Sequence, residues 1–580
     1  MYDLLIKNAT LFDGSGAAPY QGDLAVTGGR ITNISTAGKP GLGAGSGDNA
    51  SDAARQTIDA TGLALMPGII DNHTHYDAQI TWDNSVRPSP SLGVTTAVIG
   101  NCGFTIAPCK PQDRDITMRN LTQVEGMSLD VLRQGIDWGF ETFPEYLAQL
   151  RRKGSVVNVA AYIGHSSVRT YVMGQDASKR AATEVEIDQM ATLVRQAMAA
   201  GAVGFASSTS PAHNGEGGLP MPSRLACDKE MQTLVNAMGA PVGEGADRRK
   251  RGAYMVTKGG QMPVSFLESM AHSSGRPVMI AALLHNNTNP QAAFNDLDAI
   301  SAANTRGNKL IGQVSCCPLS MDFTLQSPYP VEGLQSWNSA LGKSSEALKA
   351  VLRDPGFREG VRAELSAPAT FRLFNGEWDQ LHITEAASDK YRALEQRPFG
   401  ALAKELARDP LDLMLDIAIE EDLRTVFTAM LLNSNEEAVG RMLNHPHSLV
   451  SLSDAGAHLT FFNDAGFGLH LMGHWARDRG AMSLSEAVRR LTSAPAQIFG
   501  MKDRGLIREG YAADLLLFNP KTVARGPKKR VHDLPGGAAR LTTDAVGVHG
   551  VWVNGQQVAD AQGLLETLPL AGELLTDFAS

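Results

Sequence analysis

The chain has little cysteine, five residues in 580, an odd number too small for a disulfide framework. This fits a reducing compartment, and a cytoplasmic location is the simplest expectation. The opening "MYDLLIKNATLFDG" lacks the basic start and long apolar core of a secretory signal. No run approaches the ~18 apolar residues that a membrane-spanning helix needs, so no membrane partner is expected. Basic excess is missing as well. The formal charge is -9 and the pI near 5.9, which argues against a nucleic-acid partner. The densest basic cluster, "DRRKRGAY", is local and reads as a solvated loop. Charged residues are 19% and hydrophobic residues 43%, a globular balance that argues against disorder.

What is present is organised from the ends inward. Short apolar strands in "DLLIKNATLF" and "DLAVTGGRITNIS" predict a hairpin turning at Gly28-Gly29. A Gly/Ser/Ala-rich linker, "GKPGLGAGSGDNASDAA", follows. Strands return near the carboxyl end, in "GYAADLLLFNP" and in "GVWVNGQQVAD" with its turn at Asn554-Gly555. Both termini are therefore expected to build one β domain. Between them strands and helices alternate. "TEVEIDQMATLVRQAMAAG" is an amphipathic helix with a Thr183/Glu186 capping box, and "SLSEAVRRLT" is capped by Ser483 and Glu486. About eight buried strands over roughly 400 residues favour an α/β fold of (β/α)₈ barrel type. A doubly wound sheet would carry a Gly-rich phosphate turn after its first strand, and none is present. The expected division is residues 1–65 and 496–580 in a terminal β-sandwich and 66–495 in the barrel. An insertion around 320–400 covers the barrel mouth.

Barrel chemistry sits where strands end, so polar residues that abruptly stop apolar strands are informative. "MPGIIDNHTHYD" (66–77) ends in His73 and His75, which point to one side when read as strand. "GVTTAVIGN" runs into Cys102, "SVVNVAAYIG" into His165, "VMIAALLH" into His285 and "LVSLS" into Asp454. Imidazole, thiolate and carboxylate together suit zinc, one ion or two. Cys102 can equally be a small core residue, and His165 can order a loop. His213 and His458 are further residues expected near the site. Cys316-Cys317 pack in or near a strand.

"LMPGIIDNHTHYD" resembles the first-strand signature of the amidohydrolase superfamily. "GVTTAVIGNCGFTIAPC" and "LVSLSDAGAH" are similar to its D-aminoacylase branch, the N-acyl-D-amino-acid deacylases. "RGLIREGYAADLLLF" resembles the superfamily's return strand, while "YDAQITWD" and "HDLPGGAARL" look like a larger-sized subgroup. The resemblance implies a barrel joined to a β-sandwich, and zinc on His73, His75, Cys102 and Asp454. It also implies histidines after the fifth and sixth strands. The fifth here is "GAYMVTKGG", with Lys258 and no histidine; the sixth carries His285 outside the usual pattern. His165 or His285 would then substitute, or a carboxylated Lys258 would bridge two metals.

The expected reaction is hydrolysis of a linear amide in a small-molecule substrate. Asp454 serves as general base and then acid, and His165 or His458 stabilises the oxyanion. Arginine suits the carboxylate of an acyl-amino acid, and Arg169 and Arg224 are the candidates. Hydrolysis of a cyclic imide or hydantoin, a carbamate or an arylamide is the alternative within the enzyme class. A non-catalytic scaffold is the alternative outside it. Oligomeric state is not legible.

Overall fold

The computed structural model describes residues 1–35, 54–243, 249–368 and 372–579. Most of the 38–54 linker lies outside them, as do Asp247 and Arg248 of the basic cluster. The described part of that cluster is paired: Arg249 and Arg251 lie 3.0 and 3.5 Å from Asp577. No helix among the described residues is long and apolar enough to cross a membrane.

Eight strands form one all-parallel sheet in sequence order: β1 (Ile69–Asp71), β2 (Val94–Ile99), β3 (Asn158–Gly164), β4 (Gly204–Ser208), β5 (Ala253–Thr257), β6 (Val278–Leu283), β7 (Leu310–Val314) and β8 (Ser448–Val450). Nearly every residue in them is buried, as expected when a parallel sheet is covered on both faces. Just past their ends, the segments after β1 and β8 meet in a parallel bridge between Thr74 and Ala455, which closes the sheet on itself. This is the (β/α)₈ architecture that the alternating pattern implies. Helices α1 (Arg114–Glu125), α2 (His165–Met173), α3 (Glu184–Ala200) and α4 (Asp228–Met238) pack among the connections. The Thr183/Glu186 box caps α3 as the sequence suggests.

The apolar run before the histidines is two strands rather than one. Ala64–Pro67 belongs to a nine-stranded sheet, and β1 begins two residues later in the barrel. Gly68 is the crossover. A Cβ there would sit 2.1 Å from the Thr95 hydroxyl, so only glycine lets the chain pass so close to β2. The nine-stranded sheet takes strands from both chain ends, with Leu515–Phe518 antiparallel to Ala64–Pro67. Its Gly28-Gly29 and Asn554-Gly555 turns have the positive φ that such hairpins require. A separate two-stranded ribbon, Ala524–Val531 with Arg540–Val546, reaches back to the barrel, where Leu541 N–H donates to Leu459 O at 2.7 Å.

The insertion between β7 and β8 is longer than the expected 320–400. Its strand Leu319–Phe323 pairs with Val426–Leu432, which also pairs with Leu381–Glu385. The helix Pro410–Glu420 belongs to it, with Leu411, Leu413 and Leu415 buried in its core. The insertion has its own apolar cluster, with Trp337, Phe399 and Phe427 fully buried. Trp337→Ala should remove the largest side chain of that cluster and cost about 3–5 kcal/mol, read as a lower urea midpoint for unfolding of the insertion.

Candidate metal centre

The segments following β1, β2 and β8 converge. After β1, Asn72 Nδ2 donates to Val450 O at 2.9 Å and Ser451 Oγ donates to Asn72 Oδ1 at 2.6 Å. Ser453 Oγ donates to His73 O at 3.0 Å, and His75 N–H to Ala455 O at 2.8 Å. These bonds fix His73 and His75 against Asp454. Asp454 Oδ1 lies 3.2 Å from His73 Nε2 and 3.6 Å from His75 Nε2. Cys102 Sγ is 3.5 Å from His73 Nε2. The donor atoms of His73, His75 and Cys102 all fall within 4.8 Å of one another, and all three residues are buried.

The outer nitrogens of the imidazoles have partners too. His73 Nδ1 faces Gln313 Oε1 at 3.2 Å, and Gln313 Nε2 donates to Asn72 Oδ1 at 3.1 Å. With an acceptor on Nδ1, the Nε2 lone pair of His73 is left to the centre. His75 Nδ1 faces Glu125 Oε1 at 3.1 Å, a close charge contact without the alignment of a hydrogen bond. Burial works against protonated imidazole, but Cys102 and Asp454 raise the His73 pKa, and Glu125 above all raises that of His75 well above its usual value. Burial also opposes the Cys102 thiolate, yet the two histidines bring its pKa down. Buried Asp71 behind them is pushed up to about 7 by desolvation. The donor set fits a metal: two imidazoles present Nε2 inward beside a thiol of lowered pKa and an ionised carboxylate.

The backbone here is unusual. Cys102, Asp454 and His458 all have positive φ, 56°, 47° and 53°. Gly103 follows Cys102 because a Cβ there would lie 2.5 Å from Ala206 O. The fifth strand supplies no histidine. Instead Thr257 Oγ1 donates to Cys102 Sγ at 3.1 Å, and Met255 Sδ accepts from the Cys102 N–H at 3.4 Å.

Several expected site residues have other work. His165 is fully buried, with Nδ1 2.8 Å from Ser207 Oγ and Nε2 2.9 Å from Glu230, so neither nitrogen is left for a metal. Arg169 is fully buried and gives Nη1 to both Glu230 oxygens at 2.6 and 2.5 Å; it neutralises Glu230 rather than meeting substrate. Arg224 braces the 213–214 loop through His213 O at 3.1 Å and the Asn214 side chain. Lys258 pairs with Asp296 at 3.1 Å. The main chain of His285 is held by Asn433, and its ring lies beside Phe294, outside the donor group.

His213 and His458 do stand at the centre, close enough for Glu125, His75 and Asp454 to act on both. Burial pushes His213 down to about 4, and its Nδ1 sits 2.6 Å from Ser208 Oγ. The Nδ1 of His458 is buried with no partner, while its backbone N–H donates to Glu125 O. Glu125 and Gln313 were missed by sequence reasoning although each leaves a trace. Glu125 follows Met118 and Leu121 on the buried stripe of α1, and Gln313 interrupts an apolar strand.

A family profile described as "Amidohydrolase family" matches residues 56–559. The chain belongs to the amidohydrolase family. It is similar to the D-aminoacylase of Alcaligenes xylosoxydans xylosoxydans, 28% identical over 97% of this chain and 95% of that protein. It is also similar to the N-acyl-D-aspartate deacylase of the same organism, 27% identical over 97% and 92%. In fold it resembles a crystal structure of N-acyl-D-glutamate deacylase from Bordetella bronchiseptica, complexed with zinc and a phosphonate inhibitor. That likeness has a TM-score of 0.65 and 24% identity over 99% of this chain and 100% of the other.

Within this amidohydrolase, the Arg169–Glu230 pair makes a stability test. Arg169→Met would leave a buried carboxylate with only His165. It should cost about 3–5 kcal/mol in urea unfolding.

Proposed function

We propose that this amidohydrolase removes the acyl group from N-acyl-D-amino acids, with one or two zinc ions held by His73, His75, Cys102 and Asp454. The observation that carries the reading is the convergence of these four side chains at one end of the barrel, with both imidazole Nε2 atoms turned inward. The similarity to a D-aminoacylase and an N-acyl-D-aspartate deacylase supports both the substrate class and the D configuration.

When bound, zinc supplies acidification of water and polarisation of the amide carbonyl. The chain supplies the rest. Burial alone would raise the Asp454 pKa, but His73 and His75 outweigh it and hold the carboxylate well below its usual range. Asp454 is thus ionised at neutral pH, takes the proton of the attacking water on a carboxylate oxygen, and returns it to the leaving nitrogen. Glu125 and Gln313 hold the two imidazoles in orientation from outside. His458 has a buried nitrogen with no partner in the protein, which suits it to the developing oxyanion.

The deciding experiment measures zinc per chain on the sample assayed with matched N-acetyl-D- and N-acetyl-L-amino acids. Zinc together with release of free D-amino acid supports the proposal; zinc without cleavage of either substrate overturns the deacylase reading. Asp454→Asn should keep the circular dichroism of the wild type and lose at least ~10²–10⁴-fold in kcat. Glu125→Gln should loosen the hold on His75 and weaken zinc affinity roughly 10–100-fold, measured by competition with a chelator.

A further inference from the structure

Donors that share one tetrahedral zinc ion, each about 2.0–2.3 Å from it, stand about 3.3–3.6 Å from one another. The separations here are of that size. Asp454 Oδ1 is 3.2 Å from His73 Nε2 and 3.6 Å from His75 Nε2, and Cys102 Sγ is 3.5 Å from His73 Nε2. These side chains are gathered for one ion. A second ion would stand about 3.5–4 Å away and need donors of its own.

Among the described residues no second donor set exists. His73, His75 and Cys102 are the one group of three donor residues close enough to share an ion. His165 has both nitrogens engaged, Lys258 is paired with Asp296, and the His285 ring lies beside Phe294. His213 holds Ser208 Oγ with Nδ1 at 2.6 Å, which leaves it a single nitrogen. A cavity of about 740 Å³ opens between the barrel and the insertion, with His458, Asp322 and Glu332 in its walls. These three form no donor group either, and Asp322 Oδ1 accepts from Thr428 Oγ1 at 2.7 Å.

The fifth strand meets Cys102 in another way. Met255 and Thr257 lie two residues apart on β5, so their side chains leave one face of the strand. Met255 Sδ accepts from Cys102 N–H at 3.4 Å, and Thr257 Oγ1 donates to Cys102 Sγ at 3.1 Å. One strand thus grips the residue by its backbone and by its sulfur, at a position where φ is 56°. The Thr257 hydroxyl has no other acceptor among the described residues, so its hydrogen is directed to the sulfur. On its β5 side the thiolate therefore meets a hydrogen-bond donor where a bridging thiolate would meet a second cation.

We propose that the centre takes a single zinc ion, with Cys102 as a terminal ligand capped by the Thr257 hydroxyl. Thr257 is a positioning residue, acting on the metal only through the sulfur. The inference deepens the four-donor reading above and rests on it.

The test replaces zinc by cobalt in wild type, Thr257→Val and Thr257→Ser. It follows the thiolate-to-cobalt charge-transfer band together with the cobalt bound per chain by elemental analysis. In the wild type both should saturate at one ion per chain. Thr257→Val removes the hydroxyl at similar size. Its band should move to longer wavelength, because an uncapped sulfur gives up electron density more readily. Its zinc affinity, measured by competition with a chelator, should fall roughly 10- to 100-fold. Thr257→Ser should restore both. Saturation of the wild type at two ions per chain, or a Thr257→Val protein with the wild-type band and affinity, overturns this assignment and leaves the deacylase reading standing. A wild type that binds cobalt without a thiolate band removes Cys102 from the donor set and overturns the assignment and the four-donor reading together. A one-ion centre with the expected band that cleaves no N-acetyl-D-amino acid overturns the deacylase reading alone.

Discussion

The seam where the segments after β1 and β8 meet is the constraint on which the rest depends. The donors that define the centre come from opposite ends of the barrel sequence, His73 and His75 from one and Asp454 from the other. Their approach rests on a few bonds across that seam: Asn72 to Val450 and Ser451, Ser453 to the His73 carbonyl, and His75 to Ala455. All are buried, so none can be exchanged for water without leaving an orphaned polar group. Closing the barrel and assembling the donor set are thus one event. Folding must complete the ring before the centre exists, and Cys102, Glu125 and Gln313 join it from the stretch between the two ends.

Around that seam, strain and charge are concentrated together. Cys102, Asp454 and His458 hold left-handed backbone conformations that non-glycine residues seldom adopt. All three lie in the segments that follow β2 and β8. The electrostatics follow the same logic. His73, His75, Cys102, Asp454 and Glu125 are charged or chargeable groups in a space from which water is largely excluded. They are tolerable there only in opposite-sign company.

The eight-strand barrel and the shared terminal sheet were legible because each depends on local signals: buried strand runs, capped helices, and Gly-Gly and Asn-Gly turns. The residues that end strands at the centre were legible for the same reason, since a polar residue stopping an apolar strand is a local event. Partners that come from elsewhere were not. His165 ends β3 as abruptly as Cys102 ends β2, yet Ser207 and Glu230 claim both its nitrogens, and nothing near His165 in sequence announces Glu230. Arg169 was read as a carboxylate receptor. It is one, but for Glu230 within the protein. The insertion runs past the expected 320–400 because Val426–Leu432 pairs with Leu319–Phe323, a contact about a hundred residues apart that no local pattern announces.

The same reasoning bears on the space beside the centre. A parallel barrel fills its interior with side chains, and its strand ends here are occupied by the candidate donors and their outer partners. Gln313 and Glu125 support imidazoles, and Arg169 neutralises a buried acid. The insertion and the C-terminal ribbon are free of that duty. They contact the barrel at the segment carrying Asp454 and His458, through Leu459, Thr460 and the cavity wall, so changes in either would reshape that cavity while the donor geometry stays fixed across the seam. The donor set depends on the part of the fold that must close, and the shape of the cavity beside it on the parts that lean against it.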